Sequence, residues 1–141
     1  ESLALGLSEH PVAGVRRATF RVLADDRCMT PSLQATLVRM AGEESDSTVR
    51  CQLAASCQRL GAKDALPILT RLLQRGEDRN ARLIPLMLWW AVERHAVSAL
   101  PDVEAFFTSS AAWKSALARD VILERLMRRW TAEGNPATYA A

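Results

Sequence analysis

The side chains best suited to recognition lie in "IPLMLWWAVERH", residues 84–95. Trp89 and Trp90 are neighbours, so on a helix they point about 100° apart: one can enter a core while the other lies at a groove edge. An exposed tryptophan beside Arg94 suits a docking hot spot, whereas packing against the next helices is the simpler use of both rings. A second group, Arg125, Arg128 and Arg129, complements a helix C-terminus, with Asp120 and Glu124 offsetting its charge, or meets an acidic patch on a partner. His10 and His95 have no further ligands at metal spacing and read as capping or surface histidines. Met29, Met40, Met87 and Met127 could be axial haem ligands only beside a C-x-x-C-H attachment, which the chain lacks, so they read as core. Cys28, Cys51 and Cys57 are odd in number and form no C-x-x-C, so core residues or free thiols are expected. "MAGEESDS", residues 40–47, carries three acids on a short connection, where solvent exposure and helix capping are expected instead of calcium binding. No G-x-S-x-G, phosphate loop, dinucleotide fingerprint or paired carboxylates occur. The expectation is therefore no catalytic, cofactor-binding or metal-binding residue, and an interaction surface of Trp89, Trp90, Arg94, Arg125, Arg128 and Arg129.

Such surfaces need a scaffold, and composition points to helices. The 141 residues suit one domain, with 49% hydrophobic and 24% charged residues. Alanine and leucine dominate, β-branched residues are sparse, and glycine and proline number six each. A net charge of +2 is too small to argue for nucleic acid or an anionic membrane. The longest apolar run, 83–92, is about half of what a membrane span needs. The chain starts at Glu1 inside apolar sequence, so it reads as a piece of something longer, and the lack of a leader says nothing about location.

"DSTVRCQLAASCQRLG", residues 46–61, has an echo in "DRNARLIPLMLWWAVE", residues 78–93. Aligned on Arg16, Arg50 and Arg82, the copies place Phe20, Ala54 and Leu86, then Leu23, Cys57 and Trp89, on one buried stripe. Asp46 and Asp78 stand four places earlier as expected N-caps, and each arginine can bridge to the cap or to the adjoining unit. "DALP" (64–67) recurs as "SALP" (98–101), with Asp64 and Ser98 as caps and proline in the first turn; Thr30-Pro31 serves the first unit. Helix pairs are expected at about 11–25 with 31–43, 47–60 with 65–75, and 79–95 with 99–108. A long helix follows at about 113–132, carrying Trp113, Leu117, Val121, Met127 and Trp130. "GNP" (134–136) stops it; Asn135 then caps a further helix that Pro136 opens. Two signals with a period in the low to mid thirties predict an all-α fold, an α-solenoid of stacked hairpins forming an armadillo-type superhelix. The units run about 11–43, 46–75 and 78–108 within a single domain, 1–141.

The pattern D-x-x-V-R-x-x-x-A…L resembles HEAT-like repeats, including the phycobilisome lyase type, over about 120 residues. More narrowly, "VRCQLAASCQRLGAKDALPILTRLL" with "IPLMLWWAVE" is similar to the HEAT region of large exported planctomycete and verrucomicrobial proteins of the membrane-bound dehydrogenase class. In those a sorbosone-dehydrogenase-like β-propeller precedes the array and a c-type cytochrome domain follows it. The resemblance implies a periplasmic or exported scaffold contacting protein or neighbouring domains of its own chain, with no cofactor here and haem c elsewhere in the parent. The small net charge and the short apolar run lead to the expectation of no nucleic-acid partner and no membrane insertion by this segment. Two other classes stand as alternatives: a HEAT-like enzyme of the DNA-glycosylase kind, which salt-dependent DNA binding would reveal, and a tetrapyrrole-handling module, which a Soret or bilin absorbance would reveal.

Overall fold

A computed structural model describes residues 1–27, 29–134 and 136–140. The readings of Cys28 as a core or free thiol, and of Asn135 as a cap, lie outside the described residues. Ten α-helices are described: α1 (Ser2–Ser8), α2 (Ala13–Asp26), α3 (Pro31–Glu43), α4 (Ser47–Cys57), α5 (Ala62–Leu73), α6 (Ile84–His95), α7 (Leu100–Phe107), α8 (Ser110–Lys114), α9 (Leu123–Glu133) and α10 (Pro136–Ala140). A 3-10 turn, Gly76–Asn80, precedes α6, and a π-helical turn, Ala118–Ile122, leads into α9. No strand occurs among the described residues.

Stacking follows the repeat. First helices pack on first helices, α2 on α4 and α4 on α6, while α3 packs on α5 and α4 crosses α5. One pair cannot cover its own apolar stripe, so the neighbours bury it in one continuous core containing Phe20, Ala54, Leu69, Leu88 and Ile122. The fold is an all-α helical solenoid.

Capping explains where several helices begin. The Asp46 carboxylate accepts from the N–H groups of Thr48 (2.8 Å) and Val49 (3.2 Å), and the Thr30 hydroxyl accepts from Leu33 N–H. The caps expected at Asp64 and Ser98 are not made. Gly61 starts α5 one turn earlier, and Ala99 precedes α7 without a side-chain cap. The earlier start puts Pro67 inside α5, leaving the Lys63 carbonyl without its helical donor. Gln34 Nε2 donates to that carbonyl at 2.9 Å, so the proline is satisfied from the preceding unit.

The repeat arginines are staples. Arg16 grips Glu44 with two bonds of 2.7 Å and reaches back to the carbonyls of His10 and Pro11. Arg50 does the same one unit later, to Asp78 at 2.6 and 2.7 Å and to the carbonyls of Glu44 and Ser45. Each bidentate pair ties a first helix to the connection that enters the next unit. Two expectations are corrected here. Asp78 is no helix cap; it is buried in the 3-10 turn as the partner of Arg50. Glu44 is not a solvated loop acid; it is buried against Arg16. Burial pushes Glu44 upward, but the Arg16 bonds and the Asp46 N–H overcome it and hold the carboxyl below its ordinary value.

The third arginine is the main departure. Arg16 to Arg50 and Glu44 to Asp78 are both 34 residues. A further 34 leads to Ile84 and Ala112, both buried, so apolar residues stand where the ion pair was. Arg82 was two places out of register: it is exposed and pairs with nothing among the described residues. The inward stripe of α6 shifts with it. Leu88, Ala91 and Val92 are buried, whereas the expected Leu86 and Trp89 are half-buried. The long helix at 113–132 is also corrected. Ser115 is extended and buried; its hydroxyl donates to the Leu73 carbonyl at 2.6 Å and accepts from Ala118 N–H, breaking the helix. Trp113 is consequently exposed on α8, and the seam is made by Leu117, Ile122, Leu126 and Trp130, with Met127 outside.

Candidate functional site

The structure separates the expected surface residues into two places. Trp89, half-buried on α6, shares an open hollow of about 390 Å³ with Arg125, Arg128 and Arg129 of α9 and with Glu93. Trp90 and Arg94 are exposed elsewhere on α6, one turn apart, and Trp90 keeps 43% of its surface. Arg128 is held by Glu124, and Arg129 lies between Glu133 and Glu93. Arg125 has no ion pair among the described residues. The hollow thus offers an indole edge, a free guanidinium and two arginines whose partners are surface acids able to exchange.

Sequence reasoning missed the polar bonds that tie successive helices of the stack together. Of the two readings of His95, capping and surface, the surface one is corrected: His95 is buried, and its Nε2 lies 3.2 Å from the Cys57 carbonyl. That carbonyl ends α4, so a neutral His95 with Nε2 protonated caps it from the next unit. Trp130 does the equivalent for α6, donating Nε1–H to the Ala96 carbonyl at 2.9 Å, and Ser56 donates to Phe20 O at 3.2 Å. The only cue in the sequence was a polar atom on the inward side of an amphipathic helix. The partner carbonyls are 34 to 38 residues away and cannot be read from local spacing.

Burial depresses the His95 imidazolium below its ordinary 6.5, Arg94 adds to this, and the Cys57 carbonyl opposes it. The folded state therefore binds this proton less readily than the unfolded chain. The stabilisation is complete above about pH 6.5 and is lost as pH falls through the folded-state value. Glu44, depressed from 4.5, adds a loss of the same sign at lower pH. Urea unfolding midpoints should fall between pH 6.5 and 5 in the wild-type chain. His95→Gln should flatten that slope, and an unchanged slope would remove His95 as its source.

Burial pushes the Cys57 thiol strongly up, which makes it inert; half-buried Cys51 is raised by burial and then by Asp78. No group of three or more His, Cys, Asp or Glu close enough to hold a metal occurs among the described residues. None of the described helices is long and apolar enough to cross a membrane.

A family model described as HEAT repeats matches residues 1–84, more than half of the chain. The chain belongs to the HEAT-repeat family. The match to the HEAT model ends at Ile84, where the arginine ladder gives way to an apolar residue. No curated protein and no solved structure matches significantly. HEAT repeats are commonly protein-interaction scaffolds and generally non-catalytic.

Proposed function

We propose that this HEAT solenoid is a non-catalytic scaffold that receives another protein, or another domain of its own chain, in the hollow between α6 and α9. The observation that carries the reading is the convergence of Trp89 with Arg125, Arg128 and Arg129 from two different helices. Tryptophan and arginine are the side chains most often found to dominate interface energetics. The occupant would present an acidic rim around an apolar side chain. A photo-reactive residue at position 128, introduced in cells producing the chain, should give one reproducible cross-linked protein. Trp89→Ala should abolish it, and the same probe at position 59, outside the hollow, should not produce it. Equal products from both positions would overturn the assignment.

The larger context rests on the resemblance of 49–73 and 84–93 to exported dehydrogenase proteins. On that reading the solenoid spaces a propeller from a haem c domain in the periplasm and carries no cofactor itself. Flanking genomic sequence with upstream propeller repeats and a downstream C-x-x-C-H would support this; flanks with neither would end it.

A further inference from the structure

A separate cleft opens between α4 and α6, and its origin lies in Pro85. Helices α2 and α4 begin at Ala13 and Ser47, 34 residues apart, so the register would start α6 at residue 81. Pro85 would then stand fifth in the helix, where its ring meets the carbonyl of residue 81 and its missing N–H breaks the ladder. The helix begins instead at Ile84, with Pro85 in the first turn, where proline is tolerated. Residues 81–83 stay unwound. The lost turn leaves an open cleft of about 520 Å³.

Its lining has a definite character. Arg17 of α2 and Arg82 stand at the cleft, both exposed and without an ion pair among the described residues. None of the described lining residues is acidic. Asp46, just before the lining residue Ser47, uses its Oδ1 to cap α4. Ala55, Met87 and Leu83 supply apolar surface, and Leu83 remains 51% exposed, which is costly unless something covers it. Arginine pairs with carboxylates bidentately, and methionine accommodates varied apolar side chains.

We propose that this cleft docks an acidic peptide segment carrying an apolar side chain, with carboxylates on Arg17 and Arg82 and the apolar group on Leu83 and Met87. Two arginines on a chain of net charge +2 give a short acidic stretch enough complementarity, whereas a nucleic-acid backbone is held by many phosphate contacts. The surface is distinct from the hollow between α6 and α9, so it stands or falls independently of that one.

The test is fluorescence anisotropy with a fluorescein-labelled short peptide of alternating glutamate and leucine, titrated with the chain carrying Cys28→Ser. Saturable binding is expected, weakened at least about tenfold in Arg17→Glu/Arg82→Glu and unchanged in Trp89→Ala. Both arginines are exposed, so the double variant should melt with the wild type. Bound peptide should also slow alkylation of Cys51, which lines the cleft, while buried Cys57 stays silent. Absence of saturable binding, equal affinity of the double variant, or unprotected Cys51 would overturn the proposal. An oligonucleotide of equal charge that displaces the peptide at lower concentration would also overturn it, reassigning the cleft to nucleic acid.

Discussion

Arg50→Ile should lower the unfolding free energy by about 3–5 kcal/mol, because it strands the buried Asp78 carboxylate without its partner. For a domain stabilised by roughly 5–15 kcal/mol that is a large share of the whole. The third unit indicates what should repair it. Ile84 and Ala112 occupy the positions 34 residues after Arg50 and Asp78, so the chain already buries apolar residues at both corresponding places. The double variant Arg50→Ile/Asp78→Ala should recover about half of the loss, since removing both partners abolishes the uncompensated charge. Recovery should stay incomplete, because Arg50 also serves the Glu44 and Ser45 carbonyls. Urea denaturation of the wild type, the double variant and the single variants Arg50→Ile and Asp78→Ala gives the coupling energy directly. Additive losses would mean that the two residues do not act as a pair.

Leu53→Asp should do more damage still. Leu53 is 1% exposed on α4, the first helix that packs on both α2 and α6. A carboxylate there would be buried in an apolar seam, and losses beyond about 4–5 kcal/mol are expected of such changes. The chain should lose its cooperative thermal transition by circular dichroism. Arg128→Glu, on the exposed face of α9, should stay within about 0.5 kcal/mol of wild type. A Leu53→Asp variant that melts with wild type would mean that the inward face of α4 is misassigned.

Much of the solenoid was legible in the sequence because its cues are local. Asp46 and Thr30 cap where spacing put them, and Phe20, Ala54 and Cys57 face inward as the 3.6-residue period requires. The third unit misled for a physical reason. Its arginine is absent from the register position, and a chance "DRNAR" supplied a decoy two residues early. Pro85 then shortened the helix that would have exposed the error. Of the expected surface, Trp89, Arg125, Arg128 and Arg129 meet in one hollow, while Trp90 and Arg94 lie outside it. Capping was one of the readings of His95, but the carbonyls that His95, Trp130 and Ser115 reach in other units could not be seen, since nothing within a turn of each side chain names its distant partner.

The 34-residue register, with half-buried Arg16 and buried Arg50 as staples and Arg82 left free at a cleft, is best tested by nitrogen-15 correlation spectra of the arginine Nε–H groups. Arg16 and Arg50, whose Nε atoms lie 2.7 Å from carboxylate oxygens, should give slowly exchanging, resolved signals, while Arg17 and Arg82 exchange at the rate of an exposed side chain. A protected Arg82, or an Arg50 that exchanges freely, would contradict the account.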